Sequence, residues 1–312
     1  MEIVGPPVVT VGVASYNNSR FIRETLDSIK CQTYPCVELI IVDDCSKDNS
    51  VAIIQQWIKD NPSVNARLLM HSANKGICGA CNTILNSATG EYMSIVGSDD
   101  VYMPRKVEIQ VSLFRELSSD YAIIHSDIYV IDSEGNVEAN TQMNSSEPSF
   151  VAAEGNVFDA LLERNQISAP SVMLRTAAVR EVGGYDEGLN FEDWDMWLRL
   201  SHKYKAKFSD YISVKYRVLA TSAWNTRGSI FYISSIKILL KHFGVSPKSD
   251  IIIATQVAAY AQLLYSMGNK DVVKWFRASL TKAPKIKTAL LLVMSKFGLP
   301  YSVYNKLAIY FK

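Results

Sequence analysis

The sequence is short of several features that would settle its class quickly. No G-x-G-x-x-G follows its first apolar run, which counts against a dinucleotide fold, and no G-x-x-x-x-G-K-[ST] occurs, which counts against a P-loop. No apolar run reaches the 18 or so residues that a spanning helix needs. Met1 to Pro7 has neither the basic head nor the long apolar run of a secretory leader, so the expected setting is cytosolic. The five cysteines are an odd number confined to the first third, and are expected as reduced thiols. Cys78-Gly-Ala-Cys81 has C-x-x-C spacing, but without a second cysteine or histidine pair it reads as small core residues on a helix. At 48% hydrophobic and 20% charged, the 312 residues are ordinary globular material, enough for one large domain or a domain with an appendage.

The charge is unevenly divided. From Arg227 to Lys312 thirteen Lys/Arg face only Asp250 and Asp271, a balance of +11, while the preceding residues carry a balance of −10. Such a division points to an anionic surface as partner for the tail. The tail reads as helices over Ser229 to Phe243, Ser249 to Met267 and Asp271 to Leu280, followed by a basic, aromatic-bearing amphipathic end from Ile286 to Phe311. That end suits lying on an anionic membrane face; a helical cap with a solvated basic face, or a dimer interface, fits the same pattern. The expected division is a domain over 1–226 and a basic helical region over 227–312.

The first part repeats one unit. Val8 to Ala14, Val37 to Val42, Arg67 to His71 and Tyr92 to Val96 are short apolar runs of strand type, each followed by a helix pattern over Arg20 to Lys30, Val51 to Ile58, Ile77 to Ser87 and Arg105 to Leu117. Alternating strands and helices predict an α/β fold with a mostly parallel sheet covered on both faces. Each strand ends in a polar cluster: Tyr16-Asn17, Asp43-Asp44, Asn74-Lys75-Gly76 and Asp99-Asp100. Parallel neighbouring strands would bring all four to one crevice at the carboxyl edge. There a tyrosine face can stack on a base, a carboxylate can accept from base or ribose, and a lysine beside a helix N-terminus can meet phosphate. Turn chemistry and helix capping explain any one cluster alone.

The paired acids are the sharpest signal. Asp99 and Asp100 at a strand end suit a hard divalent cation, Mg²⁺ or Mn²⁺, and through it a diphosphate; capping of a helix opening at Pro104 would need only one of them. Farther on, Tyr121 to His125 and Ile128 to Ile131 read as a strand pair or one bent strand, Glu138 to Pro148 as a loop that lies over the site, Glu154 to Arg164 as a helix, and Ser168 to Arg175 as a strand. Thr176 to Val182 reads as a short helix stopped by Gly183-Gly184. Glu192 and Asp193 open another helix, where acids are favoured by the dipole, and where a carboxylate among aromatics can also serve as general base.

In this order the stretches resemble glycosyltransferase family 2, the inverting enzymes of GT-A fold, over Val8 to Ser222, roughly seven-tenths of the chain. The resemblance implies Ala14, Tyr16, Asn17 and Asp44 at the nucleoside, with Lys75 near the phosphates. It also implies Asp99 at the ribose and metal, Asp100 at the metal, and Asp193 as catalytic base. It implies a nucleotide-sugar donor, most readily UDP-linked, a divalent metal, and a saccharide or lipid-linked saccharide acceptor at the inner membrane face, with no nucleic acid. Two positions depart from the family pattern: Gly97 stands for the first aspartate of the DxD motif, and Leu219 for the histidine that ends Tyr-Arg-x-His. A non-catalytic, nucleotide-sugar-binding scaffold is the alternative these departures raise. A nucleotidyltransferase would need a Gly-rich basic loop after the first strand, and Ser15 to Ser19 contains no glycine.

Overall fold

The computed structural model describes residues 5–141, 152–219 and 228–308. The strands are β1 (Val9–Ser15), β2 (Val37–Asp43), β3 (Ala66–Met70), β4 (Tyr92–Gly97), β5 (Val101–Tyr102), β6 (Tyr121–Ser126), β7 (Tyr129–Ile131), β8 (Val137–Thr141), β9 (Met173–Arg175), β10 (Lys205–Ser209) and β11 (Val214–Arg217). The helices are α1 (Ile22–Lys30), α2 (Ser50–Asp60), α3 (Gly76–Ser87), α4 (Lys106–Glu116), α5 (Phe158–Glu163), α6 (Thr176–Glu181), α7 (Asp193–Ser201), α8 (Ser229–Leu240), α9 (Pro247–Ser266), α10 (Val272–Leu280), α11 (Ile286–Lys296) and α12 (Tyr301–Ala308).

Described residues up to Phe158 and from Asn165 to 219 form one compact unit; Asp159–Arg164 and the described residues from 228 onward form another. The first is built on a seven-stranded sheet of order β10-β6-β9-β4-β1-β2-β3. β1 lies between β2 and β4, parallel to both, and β3 extends the run beside β2. Val9, Val11 and Val13 are fully buried, as expected of a central strand covered on both faces. On α1, Ile22, Thr25, Leu26 and Ile29 recur at helical spacing and are all buried. Trp57 of α2 is buried too, and its indole N–H donates to Asp27 Oδ1 at 2.7 Å. A smaller sheet, β5-β11-β7-β8, adjoins the unit's acidic strand ends.

Several segments differ from the sequence expectation. Tyr121 to Ile131 is neither a strand pair nor one bent strand, because β6 joins the central sheet and β7 the small one. Helix α5 covers only Phe158–Glu163; ahead of it Gly155, in the left-handed region at φ 74°, forms an isolated bridge with Ala206. Pro170 bends Ala169–Ser171 into a 3₁₀ turn, leaving only Met173–Arg175 as strand, antiparallel to β4 and β6. Of the loop expected over Glu138 to Pro148, 138–141 belong to β8 and 142–148 lie outside the described residues.

In the second unit, Ser246 accepts from the Ser249 N–H at 3.0 Å and caps α9, which begins at Pro247. Ile253, Ala254, Val257, Ala261 and Leu264 of α9 and Phe276 of α10 are fully buried. Among the described residues, no helix is long and apolar enough to cross a membrane.

Candidate functional site

The parallel register places the polar clusters on one sheet edge. Ser15 lies opposite Asp43, Asp43 opposite Met70, and Ala14 opposite Gly97, so the segments following β1, β2, β3 and β4 leave the sheet at the same level. They are tied to one another. Asn17 N–H donates to Ser46 Oγ at 2.9 Å, and Asn17 Oδ1 accepts from Lys47 N–H at 2.7 Å. Asn18 Nδ2 reaches Ser98 Oγ at 2.9 Å. Asn17 and Cys45 hold φ at 51° and 67°, strained values for residues other than glycine, and both lie in this interlocked pair of loops. Tyr16 stands 47% exposed beside them, free to offer its face.

Asp44 is almost fully buried, and its carboxylate receives three donors. Lys75 and Gly76 N–H, at the start of α3, donate at 2.8 Å each, and His71 Nδ1 lies at 2.7 Å. Asp44 thus fixes the third loop against the second, and the same contacts place Lys75 at the α3 N-terminus with its side chain exposed. His71 and Ser46 carried no signal as site residues in the sequence; their partners lie 27 and 29 residues away.

Asp99 and Asp100 do not cap a helix, because β5 intervenes and α4 begins only at Lys106. Asp100 is buried, and Asp99 partly so. Burial raises both carboxyls above their ordinary value; the neighbouring Asp99 charge raises Asp100 further, while Arg217 works against the rise at both. Arg217, itself only 2% exposed, organises this corner. Its main-chain N–H donates to Asp100 Oδ1 and its Nε to the Asp99 carbonyl, both at 2.9 Å. Nη1 donates to the Asp132 carbonyl at 2.9 Å, and Nη2 pairs with Glu24 at 2.6 Å. The guanidinium also lies over the Phe21 ring, 4.6 Å from its centre. Sequence reasoning placed Arg217 in a motif without giving it a role.

The pair fits a hard cation. Among the described residues no group of three or more His, Cys, Asp and Glu side chains forms a complete metal set. Two carboxylates with a diphosphate supplying further oxygens is nonetheless a usual arrangement for Mg²⁺. A Cβ at Gly97 would lie 2.9 Å from Asp99 Oδ1 and 3.4 Å from Asp100 Oδ2, so the missing aspartate would have pointed at the same spot. The Leu219 side chain offers no ligand atom.

The second acidic pair opens α7, with Glu192 at the N-cap. Burial and the Asp193 charge push Glu192 up to about 8. Asp193 is also raised by burial, but it receives the Trp194 N–H at 2.6 Å and Asn165 Nδ2 at 2.8 Å, both of which favour its charged form. The two carboxyls thus differ in their surroundings: Asp193 is held by two donors, while Glu192 has the Asp193 charge beside it. Asn165 lies in the segment between α5 and the 3₁₀ turn, without pattern in the sequence. The phenol of Tyr216 is raised by burial and then by Asp100, Asp99, Asp193 and Glu192 in that order, so both acidic pairs lie within electrostatic reach of one side chain.

The approach to α7 is held from α3. Asn82 Oδ1 accepts the Tyr185 N–H at 2.8 Å, while its Nδ2 donates to the Tyr185 carbonyl and to Glu187. Gly183 and Gly184, at φ 89° and 72°, make the turn that brings this about. Arg199 donates to the Val182 and Gly184 carbonyls at 2.7 Å and pairs with the buried Asp195 at 2.8 Å. Cys78 and Cys81 are free of disulfides and buried on α3, with thiols raised by burial; the Cys78 thiol donates to the Leu189 carbonyl at 3.7 Å.

Residues 10–178 match the model of glycosyl transferase family 2. EpsE of Bacillus subtilis, a putative glycosyltransferase, is 31% identical over 196 residues, 62% of this chain and 66% of that protein. An uncharacterized glycosyltransferase of Rickettsia felis is 28% identical over 219 residues, 68% of this chain. This chain spans only 34% of that relative's length. Among solved structures, S. aureus TarS 1-349 in complex with UDP-GlcNAc superposes with a TM-score of 0.69 at 17% identity, over 93% of this chain and 87% of that one. The mannosyltransferase PcManGT of Pyrobaculum calidifontis, in complex with GDP-Man and Mn²⁺, gives 0.62 at 19%, over 94% and 82%. The shared fold is GT-A: a mostly parallel sheet flanked by helices, with further helices after it.

Proposed function

The chain belongs to glycosyltransferase family 2, and from that premise we propose that it moves a sugar from a nucleoside diphosphate, UDP in the first instance, to a hydroxyl of a saccharide acceptor, with inversion at the anomeric carbon. The observation that carries the proposal is the pair of acidic clusters, Asp99-Asp100 held by Arg217 and Asp193 held by Asn165 and the Trp194 N–H, both within electrostatic reach of Tyr216. Asp193, ionised and oriented by Asn165, takes the proton of the acceptor hydroxyl as its oxygen attacks the anomeric carbon. The bond from that carbon to the diphosphate breaks in the same displacement, so the configuration inverts once. Tyr16, Asn17 and Asp44, with Ala14 at the strand end, frame the nucleoside, and Lys75 stands toward the phosphates. A divalent cation held by Asp99 and Asp100, its shell completed by diphosphate oxygens, would offset the charge that develops on the leaving group.

The acceptor is taken to be part of a surface polysaccharide or glycolipid, reached from the cytoplasmic side; the division of charge supports this placement. A scaffold that only binds nucleotide-sugars has no use for an acid kept at 193 and oriented by Asn165, which favours the enzyme. The test is release of nucleoside diphosphate from a panel of nucleotide-sugars with mixed saccharide acceptors. Turnover that requires one donor, and is lost in Asp193→Asn with nucleotide binding retained, supports the proposal. Nucleotide binding with no turnover on any acceptor moves the weight to the scaffold.

A further inference from the structure

Helix α11 is apolar on two opposite faces. Thr288, Leu291 and Met294 are buried within the second unit. Ile286, Val293 and the C-cap Phe297 point the other way and are 91%, 49% and 78% exposed. Their spacings of seven and four residues set them in one line along the helix. Leu299, 42% exposed, follows, with its N–H bonded to the Met294 carbonyl at 3.1 Å. Scattered exposed apolar residues need no explanation. A helix with a second apolar face opposite its buried one needs a second apolar environment.

The charge around this face identifies that environment. Lys285, Lys287 and Lys296 lie exposed along the helix. Asp271 is the last acidic residue of the chain, so the eight Lys/Arg beyond it meet no carboxylate within their own segment. Lys282 pairs with Asp250 at 2.7 Å, while among the described residues Lys285 meets the Thr255 hydroxyl at 3.4 Å and Lys287 the Tyr304 ring. A second copy of this face would bring the same positive field and repel it. An anionic bilayer supplies what the face lacks: hydrocarbon for Ile286, Val293 and Phe297, and phosphate headgroups for the lysines. Eleven residues of helix reach only about 16 Å, too short to span, so the helix would lie in the interface.

We propose that α11 docks its Ile286–Val293–Phe297 face onto an anionic lipid bilayer. The inference stands apart from the transfer reaction, since it uses no residue of the candidate site. It is tested by flotation of the full chain with phosphatidylcholine vesicles, with and without phosphatidylglycerol, alongside light scattering for oligomeric state. Wild-type protein should float with the phosphatidylglycerol vesicles alone, and added salt should release it as the Debye length shrinks. The triple variant Ile286→Ser/Val293→Ser/Phe297→Ser should bind at least about tenfold more weakly, and Lys285→Gln/Lys287→Gln/Lys296→Gln likewise. All six side chains are exposed, and an unchanged thermal midpoint confirms that the variants fold. Wild type that stays off the anionic vesicles, a serine variant that binds them as well as wild type, or a dimer that the serine variant dissolves without any vesicle binding would each overturn the proposal. Nucleotide binding measured on the same samples separates its failure from failure of the transferase reading.

Discussion

The main-chain N–H of Arg217 donates to Asp100 Oδ1 at 2.9 Å, across 117 residues of sequence. The end of β11 thus fixes the carboxylate that follows β4, and the side chain of the same arginine fixes the Asp99 carbonyl beside it. A cation held by this pair would find its ligands already oriented, which is how a supporting layer raises the affinity of a metal site.

Replacing Arg217 by Met should therefore affect both stability and binding. It removes the donors to the Asp99 and Asp132 carbonyls in a buried corner, and the expected loss is about 3 kcal/mol by urea titration. Metal-dependent nucleotide affinity should fall with it. A variant of wild-type stability and affinity would show that the acids hold their places without the arginine.

Asp193→Asn should lower kcat on the order of a hundredfold or more, the usual contribution of a positioned base, and leave the nucleotide Kd unchanged. Glu192→Gln should lower it less, because Glu192 is read as already protonated. Equal losses from the two substitutions, measured in steady state, would contradict the division of roles.

The raised carboxyls make stability fall with pH. Glu192 shifts from an ordinary 4.5 to about 8 in the folded protein. Between those values the folded chain holds a proton that the unfolded chain has released, so folding loses stability as pH rises through the window. The thermal midpoint of the metal-free protein should decline from about pH 5 to about pH 8, and Glu192→Gln should flatten that decline. Parallel curves for the variant and wild type would place the proton elsewhere.

Gly97→Asp restores an acid at the position where the family usually has one. The backbone at 97 is not left-handed, and a Cβ there comes closest to the carboxylate oxygens of Asp99 and Asp100, at 2.9 and 3.4 Å. Three converging acids should lower metal-free stability by about 1–2 kcal/mol, and Mn²⁺ should restore it by mass action. A thermal-shift titration reads both; a variant indifferent to Mn²⁺ would show that the spot is not a cation site.

The repeated units, the common edge and the two acidic pairs were legible because each rests on a local pattern. An apolar run is followed by Asn, Asp or Ser and then a helical face, as in Val37 to Trp57. Arg217, His71 and Asn165 were not legible as working residues, because their partners lie 117, 27 and 28 residues distant and no local period marks such contacts. The segment from Tyr121 to Arg175 was misread for a related reason. Short strands there change sheet between β6 and β7 and reverse direction at β9, choices made by packing rather than by propensity. The alternative of a helix cap at Asp99-Asp100 falls away because a two-residue strand, too short to leave a pattern, separates the acids from α4.

The most direct test of the account is calorimetric titration of the chain with UDP, GDP and dTDP, each with and without Mn²⁺, beside an Asp99→Ala/Asp100→Ala variant. The account predicts that one nucleotide binds, that Mn²⁺ is required or strongly strengthens it, and that the variant loses the metal-dependent part. Binding of no nucleotide, or binding indifferent to both Mn²⁺ and the two aspartates, would contradict it.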